Sequence, residues 1–169
     1  GTDGLFVMAL IHELLRTDRV DAEFLVRHTN AHWLVVRNPG GADDGLFVRD
    51  ADGKPLAWDR ARGLGAEYAP EAVAERCGLD ADRIRRIAAE MADVAFNQTI
   101  TLDQPWTDTL GRRHEKMVGR PVALHAMRGI SAHSNGFHTC RALHILQMLL
   151  GAIDTPGSWR YKAPFPRPI

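Results

Sequence analysis

From Leu5 to Leu15 the chain is apolar at every position except His12 and Glu13. Leu5-Phe6-Val7-Met8-Ala9-Leu10-Ile11 runs on to Leu14-Leu15. A helix that is hydrophobic nearly all round packs on several sides, so this segment is expected in the interior, with Asp3 placed to cap its start. A shorter helix is predicted from Asp21 through Phe24 and Val26 to near Asn30, and Trp33-Leu34-Val35-Val36 reads as a buried strand. Gly40-Gly41 and Asp52-Gly53 bracket Leu46-Phe47-Val48, with Pro55-Leu56-Ala57-Trp58 beyond. Asp-Gly is a turn signal, so residues 38–68 read as a small hairpin or surface excursion that includes a loop from Arg60 to Gly65.

Helical spacing returns at Pro70 to Cys77, where Gly78 stops it. Asp80 then caps a longer helix with Ile84, Ile87, Ala88 and Met91 at helical intervals, and Arg83, Arg85 and Arg86 are expected on its solvated face. Thr99 to Leu102 suggests a strand, Leu110 to Val118 a helix with a polar face, and Val122 to Met127 a second strong strand. A polar loop from Arg128 to Gly136 leads into a strongly apolar helix through Leu150, with Gly151 in a C-cap position and Pro156-Gly157 as the next turn. Helices alternating with short strands favour a layered α/β domain.

At 169 residues, 45% of them hydrophobic and 25% charged, the chain has the size and composition of one compact α/β domain. Twenty-one basic residues balance 21 acidic ones, so no excess positive field draws it to nucleic acid. Cys77 and Cys140 form no CxxC, which argues against a disulfide framework or a structural zinc module. No apolar run approaches the ~20 residues of a spanning helix. The start at Gly1 and the proline-spaced segment at 158–169 (Pro164, Pro166, Pro168) read as cuts in a longer polypeptide, the latter as a connecting tail.

The stretch most suggestive of chemistry is the strand–loop–helix unit from Val122 to Leu150, because ligands bind beyond the carboxyl ends of strands in open α/β sheets. Gly129 and Gly136 allow close backbone approach, and His133, Ser134 and Asn135 supply donors between them. Amides at the start of the following helix suit an electron-rich group. A polar surface loop before a capped helix is the plainer alternative. His125, His133, His138 and His144 with Cys140 give an H-x4-H-x-C pattern that fits no common metal site, and scattered histidines are expected instead. Asp3 has two open roles: helix cap, or a carboxylate accepting paired hydrogen bonds from a guanine edge. The sequence contains no Walker loop, G-x-S-x-G elbow, H-E-x-x-H helix or G-x-G-x-x-G. No self-contained catalytic machine is visible.

Several stretches, in order, resemble the molybdenum and tungsten oxidoreductases of the dimethyl sulfoxide reductase superfamily. Gly1-Thr2-Asp3-Gly4 before an apolar helix resembles the family's G-T-D segment, and Phe24 to Asn30 its following F-V-x-x-x-T-N. Ala72 to Ala89 is similar to its helix–T-G-V/I–helix passage, with Cys77-Gly78-Leu79 at the turn. Most specific are Asn135-Gly136, Arg141-Ala142-Leu143-His144-Ile145-Leu146 and Leu150 to Gly157, similar to the family's G…R-A-I-x-x-L…L-x-G-N-I-x-x-P-G. Thr29 to Val35 and residues 52–59 resemble thiosulfate/polysulfide reductase, formate dehydrogenase and sulfite dehydrogenase catalytic subunits.

The resemblance implies a three-layer, Rossmann-like fold with a mostly parallel sheet and helices on both faces. It also implies a molybdenum (or tungsten) bis(molybdopterin guanine dinucleotide) cofactor lying between domains. Gly1, Thr2 and Asp3 would match its guanine-contacting segment, and Gly129, His133, Ser134, Asn135 and Gly136 a loop facing the pterin. In this family the cofactor carries the two-electron chemistry, and protein groups orient and tune it. A four-iron four-sulfur cluster is implied in the full-length protein but not on this segment, whose two cysteines do not make the family's cluster motif. The protein ligand to the metal normally precedes this segment, so neither cysteine inherits that role, and no catalytic or metal-binding residue is expected here. The implied partners are the remaining domains of the same polypeptide, an iron–sulfur subunit for electron transfer, and a membrane anchor, on the cytoplasmic or periplasmic face of a bacterial membrane. The segment alone is expected to be inactive. The alternative is a non-catalytic α/β module that binds a nucleotide or a protein.

Overall fold

The computed structural model describes residues 1–29, 33–54, 56, 65–108 and 111–158. Helix α1 (Asp3–Arg16) buries Val7, Ala9, Leu10, Ile11 and Leu14, as its all-round hydrophobicity requires. It touches α3 (Pro70–Cys77), α4 (Ala81–Asn97) and α5 (Gly136–Leu149). The core joins these residues to Val73 of α3, Ile84, Ala88, Ala92 and Ala95 of α4, and Ala142, Leu146 and Leu149 of α5. The α4 set lies on one stripe, and its alanines let the α1 backbone come close. Each fully buried Leu or Ile contributes roughly 1.5–3 kcal/mol relative to exposure.

Helices α1 and α5 run in the same direction. Gly4, in the first turn of α1, lies against Thr139 in the first turn of α5. At the other ends, the Asp21 amide donates to the Leu149 carbonyl at 2.7 Å. Arg120 secures that far end, donating to Ala95 O and to Asp21 Oδ2 at 2.6 Å each and stacking 4.8 Å from the Phe96 ring. Gly151 completes α5 at φ +62, with its amide on Met148 O and the Ala152 amide on Gln147 O. Its αL conformation matches the C-cap expectation, and Asp21 leaves no space there for a Cβ. Gly78 ends α3 in the same way at φ +65.

Glu13 is buried within α1, 4% exposed. Arg16 Nε and Nη2 donate to its carboxylate at 3.0 and 2.8 Å, and Arg85 Nε lies 3.8 Å away. The Arg16 hydrogen bond outweighs burial and holds this carboxyl below its usual range. Arg85 also pairs with Glu71 and Asp82, so it belongs to an ion-pair network and not simply to the solvated face expected for it.

Helix α2 (Ala22–His28) ends at His28, before the expected Asn30, which lies outside the described residues. Trp33–Val36 is not a buried strand. Residues 34–36, residues 45–48 and Leu56 form a surface ladder through Leu34 N→Leu56 O, Val48 N→Leu34 O and Val36 N→Leu46 O, with Val35 and Phe47 paired antiparallel, and Val35 is 52% exposed. The tight turn expected at Asp52-Gly53 is present, with Gly53 at φ +78 and Asp50 Oδ1 accepting the Asp52 and Lys54 amides.

The helix expected over 110–118 is replaced by strands. The segments β1 (Ile100–Leu102), β2 (Trp106–Thr107), β3 (Arg113–His114) and β4 (Met117–Gly119) pair antiparallel, β1 with β4 and β2 with β3. Asp108 overrides the helical spacing by accepting the Arg112 amide at 2.8 Å, while Gly111 turns the chain at φ +77. Val122–Met127 belongs to no strand. All named strand pairs among the described residues are antiparallel and two-stranded; the mostly parallel sheet is not seen among them.

Candidate functional site

The near end of the α1/α5 pair carries the residues singled out in the sequence. Thr2 occupies the N-cap position of α1, and Asp3 is the first helical residue, so Asp3 is not the cap. Thr2 makes no side-chain capping bond, and neither does Asn135 at the N-cap of α5. By contrast, Asp21 caps α2 through the Phe24 amide, and Asp80 caps α4 through the Asp82 and Arg83 amides. The two helices that meet at this end therefore start without side-chain acceptors for their first amides.

The polar loop folds as a 3-10 turn, Arg128–Ser131, followed by a turn closed by Gly136 N→His133 O at 2.9 Å. Asp3, His133, Ser134 and Asn135 are exposed. Their side chains make no hydrogen bond to the described residues. Gly129 is open, with nothing within 4 Å of where a Cβ would stand. Gly136 differs from expectation: it is buried against the Ser131 backbone, so packing of the turn, not approach of a ligand, excludes a side chain there. Met127 and Phe137, on either side of the loop, are 72% and 75% exposed.

Gly4 brings the two patches together. Its missing side chain would stand 2.8 Å from Thr139 Oγ1 and 3.6 Å from Asn135 Nδ2. At the end of α3, burial pushes the Cys77 thiol pKa up, opposed by the Arg76 charge and aided to a lesser extent by the Asp3 carboxylate. Between the helix starts lies a groove of about 330 Å3, whose lining includes Leu5, Tyr68, Asn135, His138, Thr139 and Arg141. Sequence reasoning does not single out Tyr68 or Arg141 as ligand residues. The i, i+3 spacing of His138 and Arg141 on a helix is the signal that could have found the second, since it places both on one face.

A second cavity, of about 250 Å3, lies between the 3-10 turn and α5, where Met127, Arg128, Cys140, His144 and Gln147 face it. Gln147 is 1% exposed, and its Oε1 has no partner among the described residues. His125 Nε2 lies 3.2 Å from Met127 Sδ. Among the described residues no three His, Cys, Asp or Glu side chains gather as a metal site, and both cysteines are free. No described helix is long and apolar enough to cross a membrane.

No family model matches the chain. It is similar to a sulfite dehydrogenase subunit of Allochromatium vinosum, with 41% identity over 214 aligned positions, spanning 100% of this chain and 22% of that protein. It is also similar to the formate dehydrogenase-O major subunit of Escherichia coli, at 23% identity over 93% of this chain and 16% of the relative. The formate dehydrogenase major subunit of Haemophilus influenzae shows 26% identity, again over 93% of this chain and 16% of the relative. The chain thus spans about a fifth of the length of these relatives or less. The motif order along the chain and the near-complete coverage of it by these alignments agree: the chain belongs to the catalytic subunits of the molybdopterin oxidoreductases, in the dimethyl sulfoxide reductase superfamily.

Proposed function

We propose that this chain forms part of the cofactor-binding wall in the catalytic subunit of a molybdenum- or tungsten-dependent oxidoreductase that carries out two-electron redox chemistry on a small substrate. The observation that carries this reading is the meeting of two parallel helix starts without side-chain caps, beside exposed polar groups that have no partner among the described residues. Such a surface fits a ligand with many acceptors and donors, as a pterin guanine dinucleotide is. Asp3 would accept the N1–H and exocyclic amine of the guanine. Gly1 and Thr2 would line its approach. His133, Ser134 and Asn135 would donate to the pterin, with Gly129 keeping the turn open and Gly136 holding it against α5.

When bound, the bis(molybdopterin guanine dinucleotide) group supplies the metal-centred two-electron chemistry. This chain's residues bind and orient it. Catalysis requires the remainder of the subunit, so the isolated chain is inactive, and the four-iron four-sulfur cluster lies outside this segment. The parallel sheet of the three-layer fold assembles when the rest of the subunit pairs with the extended 122–127 segment. Sulfite and formate are the substrates named for the relatives, and a small oxidisable anion is the substrate class proposed here. The relatives are named as subunits of larger enzymes, which fits an iron–sulfur partner for electron transfer together with a membrane anchor.

The test is cofactor content. In the full-length subunit, Asp3→Ala should lower bound molybdenum or tungsten and the GMP released by acid hydrolysis together, while Asp3→Asn should lower them less. Full metal and GMP content in Asp3→Ala would remove the guanine role.

A further inference from the structure

We infer that the groove between the first halves of α1 and α5 holds the diphosphate of the guanine nucleotide, with Arg141 and His138 as its anion-binding side chains; the nucleotide's identity rests on the function proposed above. The two residues share one face of α5 and line the groove together. Both are exposed, and neither reaches a carboxylate among the described residues. Elsewhere Arg16, Arg27, Arg85, Arg86, Arg113 and Arg120 are each engaged by an acidic side chain. The groove lining contains no Asp or Glu among the described residues, so the Arg141 guanidinium is the formal charge on its walls.

The exposed Asn135 side chain adds a neutral donor to the groove wall, while Thr139, 4% exposed, packs on Gly4 and closes the floor. The adjoining helix amides add the positive ends of two parallel dipoles. At about 330 Å3 the groove falls in the size range of small-ligand sites. Asp3, whose carboxylate would repel a phosphate, is not among the residues that line the groove, so base recognition at Asp3 and phosphate recognition at Arg141 are separate tasks on neighbouring surfaces. Arginine suits the second because its planar fork can engage two phosphate oxygens at once.

The experiment titrates the intact chain by calorimetry with three probes: guanosine, GDP and inorganic pyrophosphate. Arg141→Gln, His138→Asn and Asp3→Asn are compared with the unaltered chain, after circular dichroism has shown equal helix content. GDP is expected to bind more tightly than guanosine. Arg141→Gln should weaken GDP and pyrophosphate about 10-fold, the scale of one charge-assisted hydrogen bond, and leave guanosine unchanged. His138→Asn should act in the same direction by a smaller factor. Asp3→Asn should weaken guanosine and spare pyrophosphate. Equal GDP affinity in Arg141→Gln and the unaltered chain overturns the phosphate assignment while leaving the guanine reading standing. Pyrophosphate binding that needs Arg141, without any guanosine binding, keeps the anion groove and removes the guanine reading. No binding of any probe overturns both.

Discussion

Placing an alanine at Gly4 sets two calculable effects against each other. Alanine is better than glycine inside a helix by about 0.5–1 kcal/mol. Against this, the new Cβ would stand 2.8 Å from Thr139 Oγ1 and 3.7 Å from Thr139 Cβ. Ordinary contact begins near 3.4 Å, so about 0.6 Å must be found. Thr139 is 4% exposed and sits in the α1/α5 contact, so its hydroxyl has little free space. Overpacking of this kind costs about 1–3 kcal/mol. The expected net loss is about 1 kcal/mol, or a fall in Tm of roughly 2–4 °C for a chain of this size. Thr139→Ala removes the obstructing atoms, and in that background Gly4→Ala should become neutral or stabilising. Urea unfolding of the four variants, followed by circular dichroism, closes the double-mutant cycle. A coupling of at least about 1 kcal/mol is expected at this contact distance. Stabilisation by Gly4→Ala with Thr139 intact, or additivity of the two changes, would refute the close approach of the two helix starts and weaken the reading built on it.

Two further perturbations probe the rest of the scaffold. Glu13 titrates below its usual range in the folded chain, so its stabilisation is present above the unfolded carboxyl value and is lost as pH falls through the folded one. Glu13→Gln should flatten the acid limb of the stability curve below about pH 4.5, and an unchanged limb in pH-dependent urea melts would contradict the network. Arg120→Met removes the hydrogen bonds to Ala95 O and Asp21 Oδ2 and should cost about 2 kcal/mol. Asp21→Asn should cost less, because an asparagine can still cap α2; an Arg120→Met loss under about 0.5 kcal/mol would show that the clasp is not stabilising.

The helices are legible because their signals are local. All-round hydrophobicity marks α1, Asp80 and the Ile84–Met91 spacing mark α4, and Gly78 and Gly151 mark two helix ends that are left-handed in the structure. The segment at 110–118 misleads because a turn competes with periodicity: Asp108 and Gly111 close a hairpin that places Met117 and Val118 in a strand. Trp33–Val36 reads as buried because its composition is apolar, but burial depends on what covers the ladder, which four residues cannot specify. At the site, Asp3 and the His133–Asn135 turn can be picked out individually. Their common location depends on Gly4 meeting Thr139 across a long sequence separation, and spacing along the chain does not encode that meeting.

The caps separate a structural role from a binding one. The chain has suitable residues at all four of these helix starts: Thr2, Asp21, Asp80 and Asn135. Two of them, Asp21 and Asp80, bond the first amides of α2 and α4, each such cap being worth about 1 kcal/mol. Thr2 and Asn135 leave the amides of α1 and α5 free of side chains, and these two helices begin side by side. Together they forgo about 2 kcal/mol of capping at the place where Asp3, His133 and Ser134 also lack partners among the described residues. Turns elsewhere in the chain satisfy their own groups, as Asp50 and Asp108 do for the amides around them. Apart from the buried Gln147 Oε1 in the cavity beside the 3-10 turn, much of the unmet hydrogen-bonding capacity among the described residues lies at one end of one helix pair. A ligand that meets it stabilises the folded chain in proportion to how completely it does so, so cofactor binding and the thermal stability of the α1/α5 contact should rise together.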